Sequence, residues 1–235
     1  MRRYSLEEKS KLLRNHFLLK TLSDEDLDKL ARYSQVQQVQ PGTVIFSKND
    51  AGDSMMVIIA GKVVIGSTSV AGKELVLNII GEGEVLGEIA FIDGEARTAD
   101  ARALEETIYL VLERRYFQPL LDEQPKLASE LLGVLCQRLR NTTDQMEDTA
   151  FYELKTRLAR KLLAFAQHYG EASDELDNIE LPVNQSELGA MLSATRESVN
   201  RQLRELANAG LIELNQGAIT ILDRDGLDDL AQEFS

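Results

Sequence analysis

The sequence predicts an α+β protein in three segments: an antiparallel barrel or rolled sandwich, a long helix, and a winged helix-turn-helix. Short apolar runs punctuated by glycines fill Pro41 to Leu112. A narrow apolar stripe follows Pro125, in a stretch without further proline until residue 182. Helix, tight break, helix and two short strands then come in order near the end. The boundaries expected are 1–124, 125–150 and 151–235.

Ahead of the first segment, "LSDEDLDKLARYS" reads as a small helix, with Ser23 as N-cap and acids in its first turn. The runs "TVIFSKND", "SMMVIIAGKVVIGSTS", "KELVLNII" and "TIYLVLERR" then alternate or bunch their apolar residues, with glycines between. Such spacing suits short antiparallel strands.

The pattern changes after Pro119. Leu131, Leu135, Leu139, Thr142 and Met146 recur at spacings of four, four, three and four. A stripe that narrow suits a two-helix seam better than a globular core. Hydrophobicity drops at "DQMEDTA", which predicts a hinge near Asp148–Phe151 and a second helix beginning near Phe151. Thr142 and Thr143 interrupt the seam. On helix statistics they read as tolerated polar residues whose hydroxyls bond the preceding turn.

The last segment predicts a helix over Gln185 to Leu192, a second from Arg196, and strands at Leu211–Leu214 and Ala218–Leu222 across "NQG". Val199, Leu203 and Leu206 form the buried face of the second helix. Thr195 is its N-cap, so Arg196 and Glu197 stand in the first turn, where a recognition helix meets base edges. Arg pairs with guanine and Glu accepts from the cytosine amino group. Thr195, Arg196, Glu197, Asn200 and Arg201 are the candidate DNA-binding residues. The plainer reading is a charged helix laced by Glu197–Arg201 and Arg201–Glu205 pairs.

Composition narrows the chemistry. A formal charge of −13 favours solubility and argues against indiscriminate coating of nucleic acid. One cysteine and two histidines are too few for a disulfide framework, a cysteine-held iron–sulfur cluster or an imidazole metal site, so no metal is expected. The chain start lacks an apolar signal region and no run nears membrane-spanning length. A cytoplasmic protein without a membrane partner is expected. Neither a G-x-x-x-x-G-K-[ST] loop nor a catalytic triad stands out, so no enzyme is expected.

The stretch "GEIAFIDGEARTA", residues 87–99, places Glu88 and Arg97 around a glycine-flanked turn beside apolar residues. An unpaired buried charge is expensive. Either the two neutralise each other, or the turn is a cradle for a small anion.

With these motifs the chain resembles the CRP/FNR family of bacterial transcription regulators, in its cyclic-nucleotide receptor branch, with a likeness to the Clr-type receptors of rhizobia. The resemblance covers nearly the whole chain. It implies a cyclic-nucleotide-binding β-roll (a double-stranded β-helix, or jelly roll), a dimerisation helix and a DNA-binding winged helix-turn-helix. In the family the cassette glutamate takes the ribose 2′-hydroxyl and the arginine takes the cyclic phosphate, with a neighbouring hydroxyl and amides completing the cradle. That assigns Gly87, Glu88, Ile89, Ala90, Arg97, Thr98 and Ala99 to the ligand, cAMP or cGMP. Glu88 would also help to fix Arg97.

The same resemblance places Thr142 and Thr143 on the two hydroxyl positions that contact the base, and so reverses their plainer reading. It puts Arg196, Glu197 and Arg201 on the base-reading positions, with a half-site related to TGTGA. A homodimeric activator working with RNA polymerase on a double-stranded operator follows. Ser193 stands where the family commonly has glycine, a left-handed position that costs about 1 kcal/mol without it. The sensors of the family that need a cysteine cluster or haem ligands do not fit this composition. Two alternatives remain: a regulator that ignores cyclic nucleotide, and a nucleotide-binding module acting through a protein partner.

Overall fold

Two serine caps open the chain. Ser5 accepts from the Glu8 amide while the Glu8 side chain accepts from the Ser5 amide, a capping box that starts α1 (Leu6–Asn15). Ser23 accepts from the Asp26 amide at 3.2 Å and starts α2 (Asp24–Tyr33), as its acidic first turn predicts. The first of these helices was not expected, although its S-x-x-E signature is present in the sequence.

Strands follow as β1 (Gln35–Val39), β2 (Val44–Phe46), β3 (Ser54–Ala60), β4 (Val63–Thr68), β5 (Glu74–Ile80), β6 (Val85–Leu86), β7 (Asp100–Ala103) and β8 (Thr107–Glu113). They form two four-stranded sheets, ordered β1-β8-β3-β6 and β2-β7-β4-β5. The β1–β8, β3–β8, β2–β7 and β4–β7 pairs are antiparallel.

Strand β3 shows why the apolar runs are unbroken. Met56 and Ile58 point between the sheets, where they meet Val63, Ile80, Leu86, Ala101 and Tyr109. Met55 and Val57 point the other way, into a second cluster lined by helices. Both faces are buried, so the strand has no polar alternation to show.

Three further helices complete this cluster: α3 (Glu88–Asp93), α4 (Arg114–Glu123) and the start of α5 (Pro125–Phe151). Phe91 and Phe117 meet edge-on there, ring centroids 5.4 Å apart. Pro119 lies inside α4 rather than at a change of segment.

The computed structural model describes residues 4–20, 22–169, 178–180, 184–215 and 218–232. By contacts the chain divides into Met1–Ser69 with Val76–Arg140, and Val70–Leu75 with Asn141–Ser235.

Two expectations about α5 need correction. The helix runs unbroken through "DQMEDTA" to Phe151, and the break falls at Tyr152–Glu153. The polar stretch is a solvated helix end rather than a hinge: Asp148 pairs with Arg160 at 3.0 Å, and Thr149 Oγ1 donates to the Gln145 carbonyl at 2.8 Å. Leu131 also leaves the expected seam. It is 2 % exposed and packs in the first unit's core with Leu127. Leu132, Leu139 and Met146, seven apart, are exposed instead, with exposed Cys136 and Thr143 between them and exposed Phe151 at the helix end.

In the second unit α6 (Leu154–Tyr169) starts three residues later than Phe151. After it come β9 (Asn178–Glu180), α7 (Gln185–Met191), α8 (Arg196–Asn208), β10 (Ile212–Asn215), β11 (Ala218–Ile221) and α9 (Arg224–Ala231). Strands order as β10-β11-β9, so the expected hairpin gains a third, short strand that the sequence reading did not include. Gln216 and Gly217 of the "NQG" turn lie outside the described residues. Leu158, Leu162, Leu188, Val199, Leu203 and Leu227 are buried in this unit.

Candidate ligand cradle and nucleic-acid interface

The cradle is built on α3, which links β6 to the loop before β7. Gly87, its N-cap, has φ +79°, and a Cβ there would lie 2.3 Å from Arg97 Nη1. Only glycine allows both the left-handed backbone and that approach. Glycine at 52 is needed for a similar reason, since a Cβ there would fall 2.1 Å from the Ala90 Cβ. The Ala90 side chain is thus buried close against the backbone of Gly52. Gly87 gives α3 no side-chain cap, so the amides of Ile89 and Ala90 have no acceptor from within the helix.

Glu88 is fully buried, and its partner is not Arg97. Arg138 of α5 brings Nη1 to 2.7 Å from Glu88 Oε1, an ion pair without an aligned N–H, and its Nη2 donates to the Val85 carbonyl. Glu88 Oε2 accepts no hydrogen bond. Burial pushes the Glu88 carboxyl above its usual range, opposed chiefly by Arg138 and less by Arg97.

Arg97 is 4 % exposed. Its Nη1 donates to the Gly87 carbonyl at 2.8 Å, and Nη2 to the Ser54 carbonyl at 2.7 Å and the Ser54 Oγ at 3.2 Å. Its Nε is buried without a partner. Burial pulls the guanidinium below its usual range, opposed by Asp53, Glu88 and Asp50. The supposed mutual neutralisation of Glu88 and Arg97 is therefore replaced by two separate arrangements, one ionic and one through backbone carbonyls.

Around them Ile89 and Thr98 are exposed and Ala99 is buried. Thr142 and Thr143 are exposed on α5, four and five residues past Arg138. The sequence reading missed Arg138 and Ser54. An arginine four residues before the threonine pair, with Arg140 beside it, was the available signal for the first. Nothing short of tertiary structure marks the second.

In the second unit, Asn184 caps α7 with a capping box through Glu187, and Thr195 caps α8 by accepting from the Ser198 amide at 3.2 Å. Between them Ser193 sits at φ +53°, the left-handed position foreseen for it. Arg157 of α6 donates to the Leu192 carbonyl at 2.7 Å and steadies the turn. Arg196, Glu197 and Arg201 are exposed and Asn200 is half-buried. Of the two helical ion pairs considered, Arg201–Glu205 is present at 4.0 Å, while Glu197 carries no such pair among the described residues. A concavity along α8 is lined by Glu197, Asn200, Arg201, Arg204, Glu205 and Asn208.

Among the described residues no group of three or more His, Cys, Asp or Glu side chains gathers for a metal ion, and no helix is long and apolar enough to cross a membrane.

Residues 36–124 match the cyclic nucleotide-binding domain family, and residues 156–230 match the Crp-like helix-turn-helix domain family. A β-roll of the first kind followed by a helix-turn-helix of the second defines a class, the transcription regulators with a cyclic-nucleotide-binding domain. A CRP-like cAMP-activated global transcriptional regulator of Mycobacterium tuberculosis is 31% identical over 196 residues, 81% of this chain and 88% of that one. The Cyclic AMP receptor protein of Thermus thermophilus is 30% identical over 211 residues, 89% of this chain and 94% of that one. FixK2 from Bradyrhizobium japonicum shares the fold, with a TM-score of 0.77 at 19% identity over 86% of this chain and 99% of that one. The chain belongs to the CRP/FNR family of transcription regulators.

Proposed function

We propose that the protein is a cytoplasmic, homodimeric activator that binds cAMP, with cGMP as a second ligand, and then a palindromic operator where it meets RNA polymerase. In this reading residues 1–124 sense the ligand, 125–150 dimerise and 151–235 bind DNA. The chain falls in the cyclic-nucleotide receptor branch, near the Clr-type receptors.

One observation carries the reading. Glu88 Oε2 and Arg97 Nε are both buried, polar and without hydrogen-bond partners, and both belong to one cassette. Buried polar atoms are almost always paired, so an orphaned acceptor and donor together call for a partner from outside. A cyclic nucleotide supplies both halves: a ribose hydroxyl to donate to Glu88 and a phosphate anion to accept from Arg97. Ile89, Ala90, Thr98 and Ala99 would line the same cradle, and Thr142 and Thr143 would take the base. Two relatives at about this distance are described by cAMP, which supports the choice of ligand.

Calorimetric titration of cAMP and of cGMP, on the parent and on Arg97→Ala, tests it. Removing one partner of a buried charged pair costs roughly 3–5 kcal/mol, so the variant should bind several hundredfold more weakly. Equal affinities would overturn the cassette assignment. No binding of either nucleotide by the parent would favour a cyclic-nucleotide-independent regulator.

A further inference from the structure

We infer that Phe46 is a positioning residue for the anion: its ring covers one face of the Arg97 guanidinium and leaves the Nε edge as the place where the phosphate docks. This rests on the reading of the cradle given above.

The argument starts in β2. Ile45 and Phe46 are consecutive, so regular pleating would send their side chains to opposite faces. Both nevertheless pack against the cluster between the sheets. The pairing of β2 with β7 explains this, since Val44 faces Arg102 while Phe46 faces Ala101, and the register shifts between them. An irregularity of this kind re-aims a side chain, and such features gather beside functional sites.

What Phe46 is aimed at is Arg97. The guanidinium carbon lies 4.4 Å from the ring centroid, within cation–π range. The other constraints on the group are already in place. Nη1 is tied to Gly87 and Nη2 to Ser54, and only glycine at 87 admits the group at that position. A planar cation held at both amino ends and covered on one face keeps its Nε–H as the unused buried donor. The group is thus fixed before any ligand arrives, and the ordering that capture would otherwise require is already done. Arg97 is then an anchored edge rather than a searching side chain.

Titration of cAMP into variants at position 46 tests this. Phe46→Leu keeps apolar volume and removes the ring. A series of ring-fluorinated phenylalanines at the same position keeps the shape and progressively weakens the negative face of the ring. Thermal denaturation is recorded for each. Affinity should fall stepwise along the fluorinated series, by roughly tenfold from phenylalanine to the fully fluorinated ring. Phe46→Leu should match the end of that series, with little change in denaturation midpoint.

A flat series, or affinities that follow stability rather than ring charge, would overturn the role given to Phe46 and leave the cradle intact. A parent protein that binds neither cAMP nor cGMP would remove the cradle reading, and the role of Phe46 with it.

Discussion

Arg138 holds Glu88: the guanidinium of one lies 2.7 Å from the carboxylate of the other, across fifty residues of sequence. Glu88 is fully buried, whereas Arg138 keeps about a fifth of its side chain exposed. Burial raises the Glu88 carboxyl above its usual range, and the Arg138 cation is the largest influence opposing that rise. Only an ionised carboxylate has both oxygens available as acceptors. Arg138 therefore favours the ionised form, in which Glu88 can accept a ribose hydroxyl.

Removing that cation should be expensive. Arg138→Ala would strand a buried carboxylate, a loss of roughly 3–5 kcal/mol of stability at neutral pH. Adding Glu88→Gln to it should recover much of that loss, because no charge is then left unpaired. Urea denaturation of the parent, both single variants and the double variant closes the cycle. Strict additivity of the two single effects would mean that the residues do not act as a pair.

A different group governs behaviour in acid. His16 is buried at the C-terminal cap of α1, with Nδ1 accepting from the Leu18 amide at 3.3 Å and Nε2 lacking an aligned partner. Burial lowers its pKa from 6.5 to about 4, against a smaller opposing effect of the Gly83 backbone. The unfolded chain takes up this proton near pH 6.5, and the folded chain only near 4. Stability is therefore complete above 6.5, declines as pH falls through that window, and has lost roughly 3 kcal/mol from this group below it. His16→Gln should flatten the curve of urea midpoint against pH between those limits. Parallel curves for parent and variant would show that His16 is not the group responsible.

Much of this was legible in the sequence, and the omissions have physical causes. Short apolar runs and glycine spacing revealed the strands, because the runs are buried and the glycines mark the turns between them. The cassette was visible because Gly87, Glu88 and Arg97 lie within eleven residues. Arg138 was not, because its meaning depends on a contact between distant segments. The hinge was misplaced because a solvated helix end and a loop have similar hydropathy, and the Asp148–Arg160 pair that keeps the end helical is again non-local. Leu131 was assigned to the seam because periodicity gives a face but not the neighbour that covers it. Strand β9, with three residues, has no periodicity to detect.

The revised seam changes which residue should be tested for assembly. Leu139 is 68 % exposed and sits midway between Leu132 and Met146, at heptad spacing. In a parallel dimer about α5, Leu139→Glu would place like charges against each other across the two-fold axis. Light scattering should show a dimer for the parent and a monomer for the variant. Leu131→Ala, by contrast, should lower stability through the core of the first unit while leaving the oligomeric state alone. A dimer undisturbed by Leu139→Glu would place the interface elsewhere.

Ser193 offers a gain rather than a loss. Its φ of +53° imposes on a serine a backbone that glycine adopts freely. Ser193→Gly should raise the stability of the second unit by about 1 kcal/mol. Thermal denaturation followed by calorimetry would register this as a shift of a few degrees. An unchanged or lowered midpoint would mean that the serine side chain compensates for its own backbone.

The last expectation concerns DNA. Arg196 stands exposed in the first turn of α8, beyond the Thr195 cap, and Glu197 beside it is not occupied by a helical ion pair. Both can therefore meet base edges without first giving up a partner, which is the condition for direct readout. A dimer presenting two such helices needs half-sites about one helical turn apart, ~34 Å. Arg196→Ala should lose ~1–3 kcal/mol on the preferred site and relax the preference at one base pair, with cAMP affinity unchanged. Ligand can strengthen DNA binding only by preferring the arrangement that DNA also prefers, and DNA must then tighten ligand binding by the same factor. Fluorescence anisotropy on a palindromic site, with and without saturating cAMP, measures one side of that equality, and nucleotide titration of the DNA complex measures the other. If the two factors are both unity for the parent, nucleotide and operator are not coupled, and the β-roll does not switch the helix-turn-helix.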